Sequence, residues 1–118
     1  MRCAFGTLLV CALAQAGCAS PTPRLRGSHL VYRDASGAPT MQIDYPSVEF
    51  CRKVEAIAGR SARCEADSAA AKLSAHAMLR YNPPGMLVEG HYPDVARCLK
   101  ANSTMAQGVE LADPCTAK

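Results

Sequence analysis

The residues of this chain best suited to chemistry come in duplicate. His29 and Arg33 recur as His76 and Arg80, with the same four-residue step between imidazole and guanidinium. On a strand, positions i and i+4 point the same way, so each His shares a face with its Arg. If a two-fold axis related the two strands, the four cations would converge on a patch suited to carboxylate or phosphate. The simpler reading keeps all four as solvated strand residues retained by both halves, and the sequence favours it. Tyr45 and Tyr92 recur as well, each directly before a proline, and are expected to close the core at a strand-to-helix corner. His91 stands alone on the outward phase of its strand and is expected in solvent.

No set of nucleophile, base and orienting group can be assembled from the remaining side chains. Ser47 is committed to capping a helix, no acid pair has a distinctive spacing, and no glycine-rich phosphate loop occurs. A metal set is also missing from the linear pattern, which holds no C-x-x-C and no Cys–His cluster. The expectation is a protein that is not an enzyme and uses no cofactor or metal. Formal charge is +3 with acids and bases interspersed, which lacks the basic stripe of a nucleic-acid partner.

What must position these residues is a repeated unit. At an offset of 47, His29, Arg33, Tyr45, Pro46, Val48, Cys51 and Lys53 map without a gap onto His76, Arg80, Tyr92, Pro93, Val95, Cys98 and Lys100. This reads as an internal duplication. In the first copy, 29–33 is β-prone, Asp34 to Gly37 is turn chemistry, and 40–45 alternates, with Met41, Ile43 and Tyr45 on one face. The period then becomes helical: Val48, Cys51, Val54 and Ile57-Ala58 form a stripe, with Ser47 as N-cap and Gly59 as stop. A short extended piece, 60–65, carries Cys64. An alanine-rich stretch, 67–73, predicts a short connecting helix.

The second copy predicts strands over 76–81 and 86–92 about the turn Asn82-Pro83-Pro84-Gly85, then a helix capped by Asp94 with Val95, Cys98 and Leu99 inward. A last strand, 109–112, precedes Cys115. Gly90 stands where the first copy has Ile43, which predicts a thin spot or a bulge. The fold class is therefore α+β. Two tandem strand-strand-helix-strand repeats, 29–65 and 76–115, form one antiparallel sheet with both helices on one face. One unit alone has too little apolar surface to fold, so 29–118 makes a single domain.

Seven cysteines occur, and Cys51, Cys64, Cys98 and Cys115 are the four inside the repeats. Four thiols allow three pairings. The within-repeat set, Cys51 with Cys64 and Cys98 with Cys115, needs each helix to sit over the strand that follows it, a contact the layer arrangement already demands, and is the expected one. The cross-repeat pair Cys51 with Cys98 would need the helices side by side.

The N-terminus reads as an export signal over 1–17: a positive Met1-Arg2, an apolar run of about a dozen residues, then small residues. Ala14-Gln15-Ala16 fits cleavage after Ala16. Ala16-Gly17-Cys18-Ala19-Ser20 resembles the lipobox of bacterial lipoproteins, although Gln15 stands where that family usually has Leu. The resemblance implies acylation of Cys18, and Ala19 rather than Asp after it implies sorting to the outer membrane. It also leaves four cysteines to pair completely in an oxidising compartment. Residues 18–28, rich in Pro, Gly and Ser, read as a lipid-anchored flexible tether. Without Arg2 the chain carries 12 bases and 10 acids, too even a balance to dictate a partner. The expected function is a small periplasm-facing envelope lipoprotein that binds or supports another envelope protein. The alternative is a secreted inhibitor of a hydrolase, released by cleavage after Ala16.

Overall fold

In the computed structural model, residues 26–118 are described. The signal segment, Cys18 and the tether as far as residue 25 lie outside the described residues. The elements run β1 (His29–Arg33), β2 (Pro39–Asp44), α1 (Val48–Ala58), β3 (Ala62–Glu65), β4 (Ala75–Tyr81), β5 (Met86–Tyr92), α2 (Val95–Ala101) and β6 (Val109–Ala117). All six strands join one sheet in the order β3-β1-β2-β5-β4-β6, and every neighbouring pair is antiparallel. This is the α+β arrangement read from the repeat.

The register shows how the copies are related. β1 pairs with β2 at His29–Asp44, Leu30–Ile43, Val31–Gln42 and Tyr32–Met41. β4 pairs with β5 at the equivalent positions, His76–His91, Ala77–Gly90, Met78–Glu89 and Leu79–Val88. The copies meet along β2 and β5, where Gln42 faces His91, Ile43 faces Gly90 and Asp44 faces Glu89. Since Ile43 and Gly90 are equivalent to each other, the local two-fold axis passes through that pair.

Each helix starts as its cap residue dictates. Ser47 Oγ accepts the amide N–H of Phe50 at 3.1 Å, and an Asp94 carboxylate oxygen accepts that of Arg97 at 2.7 Å. α1 ends at Gly59, whose φ of 69° is a conformation that suits glycine, and its N–H closes on the Glu55 carbonyl. α2 ends at Asn102, whose side-chain amide donates to the Cys98 carbonyl at 2.8 Å. Cys51 bonds to Cys64 and Cys98 to Cys115, tying each helix to the strand after it. The bridges span 13 and 17 residues, and loops of this size contribute about 3 kcal/mol each through lost chain entropy.

The inner face carries a core of unequal halves. Leu30, Ile43, Tyr45, Cys51, Ala62, Cys64, Leu79 and Val88 form the larger cluster, with Phe50, Val54 and Tyr81 packed against it. The smaller one holds Ala75, Ala77, Tyr92 and Cys98, and Met41 touches both. Tyr45 and Tyr92 are buried as expected. Gly90 leaves no gap: a Cβ there would lie 2.5 Å from the Tyr92 hydroxyl, so the phenol occupies the space that Ile43 fills in the first copy.

Several expectations are corrected. Ile57 is 87% exposed and Leu99 is also exposed, so the apolar stripes are narrower than the periodicity predicted. Each helix is bridged to an edge strand, β3 or β6, and these two side chains stay in solvent. The connecting helix is one 3-10 turn, Ala70–Lys72. The last strand runs on to Ala117, with Cys115 inside it rather than after it. Pro114 is tolerated there because an edge strand has one side free of ladder bonds. The end of the tether also packs: Gly27 is buried against Glu65 and Ala66, and Arg26 pairs with Glu55 at 2.6 Å. Among the described residues, no helix is long and apolar enough to cross a membrane.

Candidate functional site

The face away from the helices is where polar chemistry collects. The chain leaves β3 at one edge and must cross β1, β2 and β5 to enter β4, and it crosses on this outer face. Ser68 Oγ accepts from Gln42 Nε2 at 2.9 Å, and the Ala69 N–H donates to Gln42 Oε1 at 2.7 Å. Gln42 and Val31, both on the outward phase, are consequently buried along with Leu73 of the crossing segment.

Beside this crossing, all three histidines of the chain gather around two carboxylates. His29 Nδ1 lies 2.6 Å from Asp44 Oδ1, and His76 Nδ1 lies 2.8 Å from Glu89 Oε2. The second oxygen of each carboxylate turns toward His91: Asp44 Oδ2 is 2.8 Å and Glu89 Oε1 3.8 Å from its Nε2. Asp44 accepts additionally from Gln42 Nε2 at 2.7 Å. The network follows from the register. Asp44 and Glu89 are cross-strand partners on β2 and β5, and the outer histidines are cross-strand partners of Asp44 on one side and His91 on the other.

Two carboxylates facing each other across a ladder destabilise the pairing unless positive charge or hydrogen-bond donors intervene. Burial alone would raise the Asp44 carboxyl. Hydrogen bonds from His91, His29 and Gln42 outweigh it and hold the group down at about 2. His91 is only 5% exposed, and its Nδ1 is buried without a hydrogen-bond partner. One ligand atom each from Asp44, Glu89 and His91 falls within a sphere of 4.8 Å mutual separation. The arrangement can share a proton among imidazoles and carboxylates, or hold a cation between them. On its β6 side, His76 and Glu89 line an open hollow of about 410 Å³ with Asp113, Pro114 and Thr116.

The duplicated His–Arg residues, considered from sequence as an anion-binding patch, each engage an acid. His29 and His76 are turned to carboxylates as described. Arg33 makes a two-point contact with Glu65 at 3.1 and 3.0 Å, and Arg80 lies 3.8 Å from Glu110. Each of the four side chains thus faces an acid on the neighbouring strand. The expectation that His91 is solvated is overturned too. Its outward phase is as read, but at mid-sheet that phase places it between Asp44 and Glu89 instead of in water.

Asp44, Glu89 and Gln42 were missed altogether because none belongs to an identity of the repeat. The available signal was their phase: all stand on the outward face beside duplicated histidines. Cys18 lies outside the described residues. Compared with known proteins, the chain matches no family, no curated protein and no solved structure.

Proposed function

We propose that this chain is a non-catalytic binding module of the bacterial envelope, carried on a lipid at Cys18 and facing the periplasm, most consistently from the outer membrane. The observation that carries the binding reading is the asymmetry of the sheet. Helices and disulfides seal one face, whereas the other presents a partly buried histidine–carboxylate network beside an open hollow. The export reading draws on the leader and on the paired cysteines, which suit an oxidising compartment. A protein partner would meet the outer face or the exposed edge of β6, whose free backbone groups can accept an added strand.

The test is mass spectrometry of the mature N-terminal peptide together with photo-crosslinking in intact cells from Thr40 and Glu110. An acylated Cys18 and one recurrent crosslinked envelope protein are the expected results. An unmodified chain starting at Gly17, released from cells and tightly bound to a hydrolase, would favour the secreted inhibitor instead. Absence of any recurrent partner would sink the binding-module reading.

A further inference from the structure

We propose that Asp44 Oδ2, Glu89 Oε1 and His91 Nε2 are the ligands of a divalent first-row transition-metal ion, of which zinc is the best match. The inference deepens the binding-module reading by naming what the outer face takes.

The hydrogen bonding divides the five side chains into two sets. His29 and His76 each hold one oxygen of a carboxylate, at 2.6 and 2.8 Å, and so fix the orientation of its head. The other oxygen of each is thereby aimed inward at His91 Nε2. This is the division of labour in metal sites, where ligating groups are themselves held by an outer ring of hydrogen bonds. In a tetrahedral zinc site with bonds near 2.0–2.1 Å, ligand atoms stand roughly 3.3 Å apart. The separation of 2.8 Å from His91 Nε2 to Asp44 Oδ2 is about half an ångström short of that, and the 3.8 Å to Glu89 Oε1 about as much long. Small rotations of two carboxylates would even them out.

Charge and donor type narrow the ion. Two carboxylates balance a divalent cation and relieve the repulsion between cross-strand acids. A central imidazole favours zinc and its neighbours over calcium or magnesium, which prefer all-oxygen shells. Binding requires His91 to give up the proton at Nε2. That proton, held toward Asp44 in the metal-free site, moves to Nδ1, which has no protein partner, or leaves to solvent as the ion takes its place. Three protein ligands leave a fourth position for water or for a donor from a partner, and the hollow beside Glu89 gives a route in from solvent.

The experiment uses the purified exported protein, stripped with a chelator and titrated by calorimetry with Zn²⁺, Co²⁺, Mg²⁺ and Ca²⁺. One equivalent of Zn²⁺ per chain is expected, with Mg²⁺ and Ca²⁺ at least 100-fold weaker, and Co²⁺ giving visible absorption typical of low coordination number. Glu89→Gln and His91→Gln should each weaken Zn²⁺ at least 100-fold. His29→Gln, acting through Asp44, should weaken it about tenfold. Circular dichroism and thiol counting check that each variant keeps its fold and bridges. Should His91→Gln not fold, the histidine ring resonances of the wild type decide: Zn²⁺ must shift those of His91 and perturb those of His29 and His76. No saturable one-to-one binding, unshifted histidine resonances, or wild-type affinity in folded Glu89→Gln and His91→Gln would each overturn the site. A metal titration of purified protein reports neither anchoring nor a protein partner, so its failure is distinguishable from failure of the envelope reading.

Discussion

At the scale of single residues, polar side chains do structural work that their own positions in the sequence do not announce. Glu55 is on α1, yet its carboxylate accepts the backbone N–H of Cys64 at 2.8 Å and pairs with Arg26 at 2.6 Å. Partial burial pushes its pKa up, but these two partners outweigh that and leave it below the usual glutamate range. A carboxyl with a lowered folded-state pKa contributes stability that is present above its unfolded pKa and lost as pH falls through the folded one. Glu55→Gln should therefore cost about 1 kcal/mol at pH 7, a charged hydrogen bond being exchanged for a neutral one. The gap from wild type should begin to narrow below about pH 4 and vanish once the folded-state carboxyl is protonated. Urea unfolding at several pH values checks this, and a difference independent of pH would refute the assignment. Gly90 teaches a related lesson. It was legible as a departure from the repeat, but only the Tyr92 ring lying over it shows that the departure is filled rather than thin.

At the scale of elements, caps and strand phases were readable because each depends on residues a few positions apart. Ser47, Asp94 and Gly59 act where local chemistry puts them. The stripes of α1 and α2 were overread, since periodicity reports which residues could face a layer and not where that layer stops. The two staples should differ in consequence. Around Cys98 and Cys115 the core is thin, with Ala75, Ala77 and Tyr92 as the other buried members, whereas Cys51 and Cys64 sit in a larger cluster. Replacing Cys98 and Cys115 together by Ala should remove about 3 kcal/mol. That loss should appear as faster amide exchange, roughly 100-fold and largest in α2 and β6. In the corresponding Cys51/Cys64 variant, α1 should keep more of its protection because Phe50 and Val54 still pack against Leu30 and Tyr45. Equal losses in both would argue against the unequal core.

At the scale of the whole molecule, the halves depend on each other. Leu79 and Val88 of the second copy are buried with Leu30 and Ile43 of the first, and β2 with β5 forms the seam. Segments 26–66 and 67–118 produced separately should each lack cooperative thermal unfolding, while the intact chain shows one transition. Cooperative melting of either segment alone would contradict this. The amino-acid sequence determined the duplication, the α+β class, the helix caps and the four cysteines to be bridged. Those properties reside in identity, period and parity, and they survive in a linear reading. Only the tertiary structure decided that the connector crosses the outer face and that Asp44 meets Glu89 and His91. Residues 45 and 47 positions apart become neighbours solely because the axis of the duplication falls on the β2–β5 seam, and nothing local in the chain states where that axis lies.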